Sequence, residues 1–149
     1  MSTAATSSTA HPGACAAVRA PVLWGLLFGA LQAASPLALR WLEPATVHAL
    51  SISLIAAVYI GFAVADGRPS VIGVEAVVAG GFVVIAATAV TASAWLLVGA
   101  YAAHGLKDVW QERQRYVANT RWWPPFCAAV DFLVAGVIAI EIAAGVNFH

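Results

Sequence analysis

Residues 71–103 form an apolar run of 33 residues in which Glu75 is the single charge. As one α-helix this run would extend about 50 Å, against about 30 Å for the hydrocarbon of a bilayer. It therefore reads either as two membrane-crossing helices joined by a tight turn or as one helix too long for its membrane. Further apolar runs cover residues 22–39, 45–65 and 124–145. Mean hydropathy is +0.86, and only 9% of residues are charged. The fold class expected is all-α, an integral membrane helical bundle. In hydrocarbon each segment must satisfy its own backbone polar groups, and single helices do so.

The favoured threading has five transmembrane helices, over residues 22–39, 45–65, 71–87, 92–110 and 124–145, with four as the alternative. Arg40 to Pro44 separate the first two spans, and Asp66 to Ser70 close the second. The turn inside the long run is expected near residues 88–93, where Thr88, Thr91 and Ser93 can bond backbone groups freed at helix ends. Trp122, Trp123, Pro124 and Pro125 lead into the last span as interfacial aromatics followed by first-turn prolines. Five spans put Arg19, Arg68, Lys107, Arg113, Arg115 and Arg121 on one side and Arg40 on the other. One long third helix would split these residues five to two. The positive-inside rule thus prefers five spans with the N-terminus cytoplasmic and the C-terminus outside.

Residues 1–20 are rich in Ser, Thr and Ala and read as a disordered N-terminal tail ahead of a single transmembrane domain over residues 21–149. No apolar stretch precedes Cys15, so lipidation there is not expected. A signal-peptide core at residues 22–34 is the rival reading of the first span. Cys15 and Cys127 lie in different settings, one in the tail and one in a span, and are not expected to pair. Seven basic residues balance seven acidic ones, which offers no basic face for nucleic acid. Small residues recur every four positions at Gly25, Gly29 and Ala33, from Ala49 through Ser53, Ala57 and Gly61 to Ala65, and at Ala135, Ala139 and Ala143. Such stripes allow close helix approach, within one chain or in a homo-oligomer or a complex with another membrane protein.

Ionisable groups in apolar spans carry the functional signal. Glu75, His104, Asp108 and Asp131 all fall at similar depth near the cytoplasmic face once the spans are threaded antiparallel. His104 and Asp108 are i and i+4, on one helix face about 6 Å apart along the axis. Tyr101 and Gln111 extend that face, and Cys127 precedes Asp131 by one turn, so these three are candidate ligand-binding positions. Asp131 is short and flanked by Ala128, Ala129, Val130, Phe132 and Leu133, so its partner must come from another helix. As acid–base groups, His104, Asp108, Asp131 and Glu75 are the catalytic candidates. As a metal centre, His104, Asp108 and Asp131 suit a divalent ion such as zinc, iron or manganese. Plainer readings compete: Asp108 at a frayed helix end, Glu75 paired with Arg68, and Cys127 as a small buried apolar group. On the outer side, His48 and Glu141 either pair or meet water. Lys107, Glu112, Arg113, Gln114 and Arg115 read as a solvated extension or a contact for anionic lipid heads.

The stretch from Gly99 through Tyr101, His104, Gly105 and Lys107 to Asp108, followed by Trp122, Trp123, Pro124, Pro125, Phe126, Cys127 and Asp131, resembles a pattern in small bacterial multi-spanning membrane proteins of unassigned function, with a His-Gly-x-x-Asp helix end. The resemblance covers about residues 101–131. It implies the bacterial cytoplasmic (inner) membrane and a shared site around His104, Asp108 and Asp131, and it brings no activity. Three functions follow in order of preference. The first is an intramembrane pocket binding or converting a lipophilic small molecule, with or without a metal. The second is a non-enzymatic accessory or assembly subunit of a membrane complex, and the third a proton or ion translocator.

Overall fold

A computed structural model of the chain describes residues 13–118 and 120–149, with side chains from residue 18 onward. The described residues are helical, without strands. The helices are α1 (Gly13–Ala33), α2 (Ser35–Ala38), α3 (Pro44–Asp66), α4 (Pro69–Thr91), α5 (Trp95–Gln114) and α6 (Trp123–Ala143). Helix α1 starts inside the stretch read as a tail, at Gly13, where the Ala-rich sequence up to Ala20 favours helix. The rest of that tail, and the side chain of Cys15, which is not expected to pair with Cys127, lie outside the described residues. The first span is interrupted rather than running to Leu39. After Ala33 the chain turns into the one-turn α2, where the Ser35 hydroxyl donates to the Gln32 carbonyl at 2.6 Å and Pro36 cannot donate.

The long apolar run does break into two helices. Helix α4 ends at Thr91 and α5 begins at Trp95, a few residues beyond the expected end of the third span. Of the expected hydroxyls only Ser93 lies in the break, while those of Thr88 and Thr91 bond back onto carbonyls of α4. Thr88 Oγ1 donates to the Val84 carbonyl at 2.8 Å, Thr91 Oγ1 to the Thr88 carbonyl at 3.4 Å, and Ser93 Oγ accepts from the Trp95 amide at 3.4 Å. Helices α3, α4 and α6 are each long and apolar enough to cross a membrane, and Val18–Ala33 is a shorter apolar helix. Helix α5 is long but carries the polar face from Tyr101 to Gln111.

Helix α1 packs along α6, α6 along α5, and α3 along α4, while α5 also touches α3 and α4. The most polar helix thus joins two apolar pairs. Its buried residues, Leu97, Ala100, Tyr101, His104, Gly105, Asp108 and Gln111, recur every three or four positions. Close contact between α1 and α6 depends on two glycines of the first stripe. A Cβ at Gly25 would run into the Phe126 carbonyl and stand 2.8 Å from Ala129 Cβ, and one at Gly29 would stand 3.1 Å from Val130 Cα. The stripe on α3 behaves differently: Ala49 is buried, but Ala57, Gly61 and Ala65 face outward. Helix α3 instead buries Ala45, Ala49, Ile52, Ala56, Tyr59 and Ala63. That face is mostly alanine, with Ile52 and Tyr59 as its large side chains.

At the end of the bundle where α3 meets α4, Arg68 fixes the loop that follows α5. Its guanidinium binds Asp66 through Nε at 2.5 Å and Nη2 at 2.8 Å, and Nη2 also donates to the Tyr116 carbonyl at 2.6 Å. Asp66 Oδ2 accepts from the Ala118 amide at 2.8 Å. These bonds, above all those from Arg68, hold the Asp66 carboxyl well below the usual carboxylate range. Arg68 is therefore spent on Asp66 and not on Glu75.

Candidate functional site

Glu75, His104, Asp108 and Asp131 converge near this end of the bundle, each at most 2% exposed. His104 Nδ1 lies 2.7 Å from Asp131 Oδ2 on α6 and 3.3 Å from Asp108 Oδ2 one turn along α5. The shorter separation is a hydrogen bond. Gly105 makes room for it: a Cβ there would stand 3.1 Å from the Phe132 ring and 3.3 Å from Asp131 Cβ, so glycine lets α5 and α6 approach at this level. The His104 ring is flanked by Phe82 of α4, edge-on at 5.0 Å between centroids, and by Tyr59 of α3 at 5.9 Å. The Tyr59 hydroxyl donates to Asp108 Oδ1 at 2.5 Å.

Glu75 joins the cluster by a different route. Its Oε2 lies 2.8 Å from Lys107 Nζ, and its Oε1 accepts from Gln111 Nε2 at 2.8 Å. Gln111 Oε1 in turn accepts from the Val117 amide at 3.2 Å. Lys107 Nζ sits 3.5 Å from the centroid of the Tyr59 ring, a cation–π contact that connects this pair to the Tyr59–Asp108 bond. Lys107 therefore turns inward, instead of belonging to the solvated extension read from the sequence. Its spacing from His104 and Gln111 places it near their face of α5, which was the available signal. Tyr59 gave less warning, being one hydroxyl in a span otherwise read for its apolar length.

Charge counting sharpens the picture. Three carboxylates, Glu75, Asp108 and Asp131, stand against one ammonium, Lys107, and one imidazole, His104. Even with the imidazole charged the formal sum is −1, and an uncompensated charge in a low-dielectric interior costs several kcal/mol. One further proton or a cation would balance the cluster. Of its buried polar atoms, His104 Nε2, Asp108 Oδ2 and Asp131 Oδ1 have no hydrogen-bond partner, and Lys107 Nζ has only its ion pair with Glu75 and the face of the Tyr59 ring.

One donor atom from each of His104, Asp108 and Asp131 can be chosen so that all lie within 4.8 Å of one another. Donors about 2.0–2.2 Å from a tetrahedral metal stand about 3.3 Å apart. The His104–Asp108 separation matches that figure. The His104–Asp131 hydrogen bond is shorter and would have to open, releasing its proton, to admit a metal.

Of the remaining candidates, Cys127 is buried, one turn before Asp131 on α6. Tyr101 belongs to a separate group nearer the other end of the bundle, where its hydroxyl donates to the His48 carbonyl at 3.1 Å and accepts from Gln32 Nε2 at 2.8 Å. Among the described residues no hydrogen bond joins this group to the cluster. His48 does not pair with Glu141: neither ring nitrogen has a hydrogen-bond partner, and the ring packs against Tyr101 and Phe148.

Two cavities adjoin the cluster. An apolar groove of about 360 Å³ runs between α1, α5 and α6, walled by residues that include Val22, Pro125, Ala129 and Phe132, with Asp108 among its lining residues. A second, more polar cleft of about 680 Å³ lies under the loop between α5 and α6 and reaches Gln111. No family model matches the chain, and no curated protein or solved structure does either.

Proposed function

We propose that this is an integral membrane protein of five spans in the bacterial cytoplasmic membrane, whose His104–Asp108–Asp131 cluster binds or converts a lipophilic small molecule. Support for the membrane reading comes from where polarity lies. Leu54, Val77, Val84 and Ile140 are 66–77% exposed, while the ionisable groups of the cluster are interior. Hydrocarbon solvent tolerates that arrangement, and water does not. Helices α1 and α5 would complete the five spans, with α5 shielded by its neighbours.

The observation that carries the site reading is the position of Asp108. It stands next to the apolar groove with its side chain fully buried, held by Tyr59 and next to His104. A molecule entering from the bilayer between α1, α5 and α6 would lie against the residue that carries this carboxylate, and a shift of the groove wall would bring it to the carboxylate, the imidazole and the second carboxylate behind it. Such a set can move a proton. With the proton of the His104–Asp131 bond released, it can hold a zinc, iron or manganese ion, which would supply Lewis acidity.

Asp131→Asn tests the reading. It keeps an acceptor for His104 while removing the charge. The variant is expected to fold as the parent does and to lose retention of the bound molecule, measured by mass spectrometry of organic extracts. Unfolding, or release of a companion protein on purification, would favour the second reading, an accessory subunit. One observation supports that alternative: Gly61, Gly73, Gly80 and Gly81 have no neighbour within 4 Å of an added Cβ, so α3 and α4 present small-residue faces outward, where another chain could pack closely.

A further inference from the structure

The cleft under the α5–α6 loop contains a feature that the buried cluster does not use. Its lining includes Arg115 and Arg121, together with Thr120, Glu112, Trp122 and Trp123. Neither arginine makes an ion pair or side-chain hydrogen bond among the described residues, although Arg68 nearby is fully engaged. Trp123 Nε1 is buried and has no acceptor. Two uncommitted guanidiniums and an orphaned indole donor around one cleft form an acceptor-seeking surface. Glu112 is the one opposing charge.

Geometry ties this cleft to the groove. Glu112 lines both cavities, and the chain passes from Trp122 and Trp123 on the cleft side to Pro124 and Pro125 on the groove side. Arg113 stands at the groove itself. Together the two cavities present a basic, hydrogen-bonding chamber beside an apolar slot.

We propose that the cleft holds the anionic headgroup, a phosphate or carboxylate, of an amphiphile whose hydrocarbon chain lies in the α1–α5–α6 groove. The headgroup would accept from Arg115, Arg121 and the Trp123 indole, and the chain would run past Ala128, Ala129 and Phe132. This deepens the reading of the groove as a lipophile site and rests on it. It narrows the ligand class to one that bears an anion at one end. Cleft and groove meet at the level where a headgroup and the first methylenes of a chain would lie in the membrane.

The test uses the full chain in neutral phosphatidylcholine nanodiscs, titrated with dodecyl phosphate, dodecanol and inorganic phosphate, and followed by tryptophan fluorescence. Dodecyl phosphate is expected to bind saturably and at least tenfold more tightly than dodecanol, with inorganic phosphate weaker by a further tenfold or more. Arg115→Ala with Arg121→Ala should remove the advantage of dodecyl phosphate and leave dodecanol unchanged. Both arginines are exposed, so the double variant should fold. Ala128→Trp, which fills the groove, should weaken both alkyl probes. Equal binding of dodecyl phosphate and inorganic phosphate would overturn the amphiphile in favour of a free anion. Undiminished dodecyl phosphate binding in the arginine variant would overturn the headgroup site alone. Alkyl binding unaffected by Ala128→Trp would instead overturn the groove reading beneath it.

Discussion

Replacing His104 with Gln and Asp131 with Asn should have very unequal effects, although the two side chains share one hydrogen bond of 2.7 Å. Asp131→Asn removes one of three buried carboxylates, so that the further proton or cation is no longer needed for balance, and leaves an amide oxygen to accept from His104. Its cost should stay within about 1 kcal/mol. His104→Gln removes the imidazole and leaves three buried carboxylates against the single ammonium of Lys107. Breaking a buried pair so that a charge is left uncompensated costs about 3–5 kcal/mol. For a chain of this length each kcal/mol lowers the unfolding midpoint by about 3 °C, so the two variants should differ by about 10 °C. Thermal unfolding in one detergent, followed by tryptophan fluorescence, measures it. Equal midpoints, or Asp131→Asn as the less stable of the two, would refute the charge count.

Lys107→Met should destabilise by a similar 3–5 kcal/mol because Glu75 loses its ion pair at 2.8 Å; adding Glu75→Gln should recover most of the loss in the same melt. Gly25→Ala should destabilise despite a helix-propensity gain of about 1 kcal/mol, since the Phe126 carbonyl blocks the new methyl, whereas Gly61→Ala, with nothing within 4 Å, should stabilise by up to about that amount. Asp66→Asn should lower the melting midpoint by a constant margin from pH 8 to pH 5. A depressed carboxyl contributes fully above its unfolded value of about 3.9 and loses that contribution only as pH falls through the lower folded value, so the margin should close only below about pH 4.

Depth along the helices was legible before the fold was known, because hydropathy and residue spacing set it. Antiparallel threading of residues 71–110 already brought Glu75 level with His104, and hydroxyls at Thr88, Thr91 and Ser93 marked the break. Azimuth was not legible. Helices rich in Ala and Val look nearly alike all round, which is why Ala57, Gly61 and Ala65 could be read as a packing stripe and yet face outward. Pairing depends on azimuth. Glu75 went to Lys107 and Gln111 instead of Arg68, which the turn residue Asp66 had already claimed. Tyr101, one turn from His104, was drawn to Gln32 and the His48 carbonyl instead. Lys107 was misread because charge near a helix end suggests solvent, whereas a buried carboxylate one helix away outweighed it.

The most direct test of the account is organic extraction and mass spectrometry of the protein purified from its membrane in mild detergent, beside the groove-filling Ala128→Trp variant. A lipophilic molecule in near-stoichiometric amount with the parent, lost from a variant that still melts cooperatively, is the predicted result. The same lipids in the same ratio from both preparations would contradict it, and would leave the buried His104–Asp108–Asp131 cluster with a structural role.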